Sequence, residues 1–272
     1  MIRLVGIDVD GTLVGASGIV HPSVWKAAQT ARERGIHLTL CSGRAAFGAA
    51  LEYARRLDAS GWHIFQNGAS VVNLATGTSR SIPIPPAWVM TLINEARATG
   101  EPLELYGDTA YVSESTAAWA REHAGVLGVP FEARPFESLG APVVRAQWLF
   151  TPDRARNYMA APHPGLEVAQ STSPLMPGAQ FVGLTNEGVT KGSALRKVAE
   201  QYDVALREVM YVGDSGNDLS ALRIVGHPVA MGNAQLEVLE VAAHTVGHVN
   251  DGGLAQALEI AIAALGGAPT PT

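Results

Sequence analysis

The sequence predicts an α/β protein, in which a parallel-sheet domain is split in the chain by a smaller inserted α+β domain. Three observations predict it. Short β-rich runs alternate with helical patterns over the first third of the chain, as in a parallel sheet with helices on its faces. The alternation stops after Asn67-Gly68 and resumes at Lys191. The stretch between them has a different texture and opens on Pro83, Pro85 and Pro86.

Residues 4–7 form a compact aliphatic run closed by Asp8, as expected of a buried parallel strand. Val24, Ala27, Ala28 and Ala31 recur at helical spacing, with Gly35 as the stop. A strand over 36–40, a helix over 45–57 and a strand over 63–66 follow. Residues 71–74 and 81–84, separated by Thr76-Gly77-Thr78, read as a hairpin. In the inserted stretch the periodicity predicts helices over 88–99, 116–124 and 154–160, and strands over 146–150 and 180–184. The proline-containing segment 128–142 has no clear period. Alternation then returns: helix 191–202, strand 208–212, helix 219–225, strand 229–230, helix 235–241 and a last helix 254–265. Residues 266–272, rich in Gly, Pro and Thr, read as a frayed tail. The domains expected are therefore 1–84 with 185–272, and 85–184 as the insert.

Composition narrows the function. Of 272 residues, 47% are hydrophobic and 16% charged, which suits a packed core and excludes disorder. The net charge of −6 argues against a nucleic-acid coat or a polybasic membrane anchor. It leaves an anionic substrate open, because one metal ion reverses the field inside a pocket. The single cysteine, Cys41, excludes an intrachain disulfide and a thiolate zinc cluster. It fits a reducing, cytoplasmic setting. No uninterrupted apolar segment approaches the ~18 residues of a membrane span.

Four motifs carry chemistry. Asp8-Val9-Asp10-Gly11-Thr12 follows the first predicted strand, where α/β sheets bind ligands. Two carboxylates so close are costly unless a cation or proton neutralises them. An EF-hand is excluded, since Leu13 and Ile19 stand where Gly and Glu are required. Tyr211-Val212-Gly213-Asp214-Ser215-Gly216-Asn217-Asp218 is a second strand end rich in acids. Together the two suggest an oxygen-ligand site for a hard cation such as Mg²⁺, although Asn217-Asp218 alone would serve as a helix cap. Ser42-Gly43-Arg44 offers a hydroxyl and free N–H groups to a phosphate, or merely caps a helix. Lys191-Gly192 opens a helix, where an ammonium opposes the helix dipole unless an anion is near. A P-loop is a near miss, because Val189 follows Gly188 where lysine is needed.

In order, Asp8-x-Asp10-Gly-Thr, Ser42-Gly-Arg, Lys191-Gly and Gly213-Asp214-x-x-Asn217-Asp218 resemble the four motifs of the haloacid dehalogenase superfamily. Gln66-Asn67-Gly68-Ala69 and Met231-Gly232-Asn233-Ala234 narrow this to something similar to its Cof-type phosphatase branch. The resemblance covers about residues 1–80 and 186–265, and matches the insert only in length and placement. It implies a Rossmann-like core with a cap domain between the second and third motifs. It also implies an aspartyl-phosphate mechanism, with Asp8 as nucleophile and Asp10 as general acid and base. Mg²⁺ is implied on Asp8, the Asp10 main-chain carbonyl and Asp214. Ser42, Gly43, Lys191 and Asn217 would hold the phosphoryl group, with Asp218 behind them. Ser42 replaces the more usual threonine, an exchange of hydroxyls, and the acidic segment Asn250-Asp251-Gly252-Gly253 is thinned and takes no site role. The function implied is a Mg²⁺-dependent phosphomonoesterase acting on a small phosphorylated metabolite, a sugar phosphate or phosphorylated cofactor. A sucrose-phosphate or mannosyl-phosphoglycerate phosphatase, a phosphomutase or phosphotransferase, and a non-catalytic phosphate binder share the layout. Retention of both Asp8 and Asp10 argues against the last.

Overall fold

The computed structural model describes residues 1–173 and 175–266. The chain opens with β1 (Leu4–Asp8), α1 (Pro22–Glu33), β2 (His37–Cys41), α2 (Gly48–Asp58), β3 (Trp62–Phe65) and β4 (Ser70–Asn73). It continues through α3 (Pro86–Thr99), β5 (Leu103–Tyr106), β6 (Tyr111–Val112), α4 (Ala118–Leu127), β7 (Arg145–Phe150) and α5 (Pro152–Met159). Strands β8 (Leu166–Thr172) and β9 (Gln180–Asn186) complete that section. The last section is α6 (Lys191–Gln201), β10 (Val209–Gly213), α7 (Leu219–Leu222), β11 (His227–Ala230), α8 (Leu236–Val241), β12 (His244–Thr245) and α9 (Gly253–Gly266). Beyond Gly266, the tail read from the sequence lies outside the described residues.

Two compact units emerge. The first comprises residues 1–44, 50–80 and 190–272; the second comprises 45–49 and 81–189. The chain thus crosses between units at 44/45, 49/50, 80/81 and 189/190, against the 84/85 and 184/185 boundaries read from the sequence.

The first unit holds a seven-stranded sheet in the order β12-β11-β10-β1-β2-β3-β4. All neighbours are parallel except β3 and β4. β1 is wholly buried, as a central strand must be. From β1 the chain moves to β2 on one side, and only later to β10 on the other. The order therefore reverses beside β1, the topological switch point where such sheets bind ligands. Helices α6, α7 and α8 pack Leu195, Val198, Ala221, Leu222 and Val238 against Leu4, Ile64, Val209 and Tyr211. On α1, the buried positions are the Val24, Ala27, Ala28 and Ala31 stripe read from the sequence.

The second unit is a five-stranded antiparallel sheet, β6-β5-β7-β9-β8. Alternation along β5 sends Leu103 and Leu105 into a cluster with α3, α5 and Trp148. Glu104 takes the other face, fully buried, and accepts from Tyr106 Oη (2.5 Å), His123 Nδ1 (2.8 Å) and Gln147 Nε2 (3.1 Å).

Several boundaries differ from those the sequence predicts. Residues 81–84 are not a strand. β4 pairs back on β3, and the second arm survives only as a bridge from Val72 to Ser79. The helix expected from 45 begins at Gly48. That expected over 219–225 is the four-residue α7.

His63 in β3 is buried and its tautomer is fixed: Nδ1 accepts from Leu40 N (3.0 Å), so Nε2–H donates to the Asp58 carbonyl (2.7 Å). Burial drives its pKa down from 6.5 to about 4. The unfolded chain therefore binds a proton that the folded chain refuses. The stability from this site is complete above pH 6.5 and is lost as pH falls toward 4, to about 3 kcal/mol at most. Urea unfolding at pH 7.5 and 4.5 should show this loss in the wild type. It should be largely absent in His63→Gln, whose amide reproduces the same acceptor and donor.

Candidate active site

The register brings the motifs to one sheet edge. Asp8 stands opposite Cys41 on β2, and Ile7 opposite Val212 on β10. Ser42 and Asp214 therefore leave the sheet at the same level as Asp8. Ala230 lies beside Gly213, so Asn233 enters from the next strand end. Asn233 donates to the Gly11 carbonyl (2.8 Å) and accepts from Val249 N (2.9 Å), which pins the loop after β1.

Lys191 occupies the first position of α6. Thr190 caps that helix by accepting from Ser193 N (3.0 Å), while Ser193 Oγ accepts from Thr190 N (3.0 Å). Lys191 is only 1% exposed. Its Nζ donates to Asp8 Oδ1 (2.5 Å), Asp218 Oδ1 (2.7 Å) and Asn217 Oδ1 (3.3 Å). Burial opposes its charge, but Asp8 and Asp218 more than offset this and hold it protonated, above the ordinary lysine range.

Asp218 is fully buried and saturated. Its Oδ1 accepts from Lys191 and from Tyr211 Oη (2.6 Å), and its Oδ2 from Asp214 N (3.0 Å) and Ser215 N (3.1 Å). Burial, then repulsion by Asp218, pushes the Asp8 carboxyl well above its ordinary range, against the pull of Lys191. Asp214 is pushed up to about 6 by burial and Asp218, with hydrogen bonds to Asp8 and Thr12 acting the other way. Asp8, Asp214 and Asp218 each offer an oxygen within 4.8 Å of the others. Four lone-pair directions of Asp218 are already taken, so Asp8 and Asp214 are the carboxylates with capacity for a cation.

Asp10 is placed apart from this group. Its carboxylate is exposed and accepts both Arg44 Nε (3.0 Å) and the neighbouring guanidinium nitrogen. Ser42 is buried, and its Oγ accepts from Arg44 N (3.0 Å). Asn217 Nδ2 donates to Asn67 Oδ1 (3.2 Å), which also lies against Gly43. Gln66 and Asn67 both have left-handed φ values of 54° and 55°, a conformation non-glycine residues rarely hold. Gly68 follows at φ 107°, and a Cβ there would sit 2.2 Å from the Thr190 carbonyl. This tight passage sets the 66–69 loop against the start of α6. Cys41 is inert, since burial pushes its thiol far above the ordinary range.

Arg44, Asn67, Asn233 and Tyr211 are contacts that sequence reasoning did not assign. All four stand inside stretches quoted from the sequence. Tyr211 heads the strand end that leads to Asp214 and Asp218, and no pattern in the sequence marks its hydroxyl for a role.

A family model described as haloacid dehalogenase-like hydrolase matches residues 5–258. Among curated proteins, the chain is 26% identical to YxeH of Bacillus subtilis (strain 168), over 95% of this chain and 97% of that one. It is 25% identical to the 5-amino-6-(5-phospho-D-ribitylamino)uracil phosphatase YcsE of the same organism, over 94% of each. A solved structure from Bacteroides thetaiotaomicron, described among phosphatases of the haloalkanoate (HAD) superfamily, superimposes with TM-score 0.78 at 26% identity. The match covers 96% of this chain and 95% of that one.

Gly11 has φ 90°, and a Cβ there would meet Asp214 Oδ2 at 2.2 Å. Gly18 has φ 72° with nothing within 4 Å. Gly18→Ala should cost only the strain of holding a Cβ at positive φ, about 1–2 kcal/mol. Gly11→Ala should add the expulsion of the Asp214 carboxylate and cost at least a hundredfold in turnover. Melting curves and steady-state rates on the two variants check this.

Proposed function

The chain belongs to the haloacid dehalogenase-like hydrolase family, and on that premise we propose a Mg²⁺-dependent phosphomonoesterase of small phosphorylated metabolites, acting through an aspartyl-phosphate on Asp8. That the protein is a phosphatase follows from the family and its relatives. The observation that carries the finer reading is the buried ammonium of Lys191, 2.5 Å from Asp8 Oδ1 at the sheet's switch point. It pulls the Asp8 carboxyl toward its ionised form, against burial and Asp218, where attack on phosphorus needs a carboxylate.

The donor set fits a hard divalent cation. It offers carboxylate oxygens and no thiolate or imidazole. Asp8, Asp214 and Asp218, when ionised, leave two negative charges uncompensated by Lys191. Asp8, Asp214 and the Asp10 main-chain carbonyl would hold the ion. When bound, it supplies the positive charge that lets a phosphate dianion approach these acids.

In the proposed cycle an Asp8 oxygen forms a bond to phosphorus as the ester P–O bond breaks. Asp10 gives its proton to the departing oxygen, then takes one from the water that attacks the phospho-aspartate. Water's oxygen leaves with the phosphate, and Asp8 is restored. Lys191, Asn217, Ser42 and the Gly43 N–H bind the phosphoryl oxygens, and Asp218 positions Lys191. Arg44 must release Asp10 for either proton transfer.

Phosphate release from a panel of phosphorylated metabolites, without an added acceptor, tests the reading and separates it from phosphotransfer. The panel includes sugar phosphates and the phosphoribityl compound named for the Bacillus relative. Activity should vanish in EDTA and return with Mg²⁺. Asp8→Asn should retain its melting temperature and fall at least a thousandfold in kcat; turnover within a few-fold of wild type would falsify the nucleophile assignment.

A further inference from the structure

We propose that Tyr211, a strand residue three positions before Asp214, is a positioning residue for phosphoryl transfer: its hydroxyl locks Asp218 so that Lys191 is delivered to Asp8. This rests on the phosphatase reading above.

Tyr211 lies in the middle of β10 and is fully buried. Its hydroxyl donates to Asp218 Oδ1 at 2.6 Å, the same oxygen that accepts from Lys191 Nζ at 2.7 Å. The two amides of Asp214 and Ser215 hold only the other oxygen, Oδ2. A carboxylate fixed at one oxygen still swings about that anchor. The phenol supplies the second anchor and so defines the plane of the group. It also occupies one of two lone pairs on Oδ1 in a site without water access, leaving one for the ammonium.

The backbone makes room for this ring at a named place. Gly6 is the Cα partner of Tyr211 across β1 and β10. A Cβ on Gly6 would lie 2.6 Å from Tyr211 Cδ2 and 3.2 Å from Leu195 Cδ1. A glycine of the same strand that carries Asp8, two residues before it, is thus spent on seating the tyrosine. An aliphatic residue at 211 would fill such a core equally well, but it would leave Oδ1 with a single donor.

Without the hydroxyl, Asp218 Oδ1 becomes the stronger acceptor and draws the Lys191 proton toward itself, away from Asp8. Lys191 meets charge that grows on the phosphoryl oxygens as the bond breaks, so the loss should fall on the chemical step. Tyr211→Phe keeps the ring and its seat on Gly6. It should lower kcat about tenfold, with KM and the Mg²⁺ activation constant within twofold of wild type and a nearly unchanged melting temperature. Tyr211→Leu removes the ring as well. It should melt lower, yet keep the kcat of Tyr211→Phe per folded enzyme. A kcat for Tyr211→Phe within twofold of wild type, a loss carried by KM, or a kcat that tracks melting temperature through the series overturns the proposal. Asp8→Asn run alongside separates the two failures. If it still turns over, the phosphatase reading of the site fails. If it is dead while Tyr211→Phe is intact, only the role of Tyr211 fails.

Discussion

A lysine ammonium sits almost wholly out of water in this protein, and the arrangement of the first unit follows from keeping it there. Moving such a charge into the interior costs several kcal/mol unless acceptors replace its hydration. Lys191 finds three, on Asp8, Asp218 and Asn217. They come from the end of β1 and from the turn after β10, while the lysine itself opens α6. Three stretches far apart in sequence must therefore meet to within hydrogen-bond distance. The position also opposes the helix dipole of α6, which the two carboxylates more than offset. Removing either acid would leave the buried ammonium with one carboxylate and the Asn217 oxygen, so the three acceptors act on it together.

The parallel sheet meets this demand by its register. Asp8 is the last paired residue of β1, and Ser42 and Asp214 follow the last paired residues of the adjoining strands, so no long loop is needed to gather them. Short loops carry little conformational freedom to lose. Where the backbone must pass closest, side chains are absent: Gly11 against Asp214 and Gly68 against the Thr190 carbonyl. These two contacts couple the loop after β1 to the β10 turn, and the loop after β3 to α6.

Much of this was legible in the sequence because the motifs are local. Strand-then-acid and glycine-then-helix are patterns of five or six residues, and each falls at a predicted strand end. The parallel core strands were legible for the same reason, being short aliphatic runs with clear stops. What was not legible involves partners that local pattern does not link. The Arg44–Asp10 pair joins two motifs, and Asn67 meets Asn217 across 150 positions. Tyr211 looks like any strand residue until its hydroxyl is seen against Asp218. β8 was missed because most of its side chains are exposed or half-exposed, so no alternation of hydrophobicity marks it. The false arm at 81–84 arose from a real turn at Thr76-Gly77-Thr78, but the partner of β4 was β3.

The two aspartates at the end of β1 stand in opposite environments, which suits the division of labour proposed for them. Residues two apart in a strand share a face, so Asp8 and Asp10 would point the same way if β1 continued. It ends at Asp8, and the turn at Gly11 carries Asp10 outward. The side chain of Asp8 is 6% exposed and rests on an ammonium; that of Asp10 is 61% exposed and rests on a guanidinium. A carboxylate sealed against bulk water with a fixed cation is suited to bond formation, since bulk water does not compete for its oxygens. One at the solvent boundary is suited to proton exchange, since it must meet both a departing oxygen and an entering water. Arg44 holds Asp10 by charge and two hydrogen bonds at an exposed position, where such pairs are worth little. The hold is therefore weak enough to release, whereas the grip of Lys191 on Asp8 is not. The difference in burial makes one acid a fixture and the other a moving part.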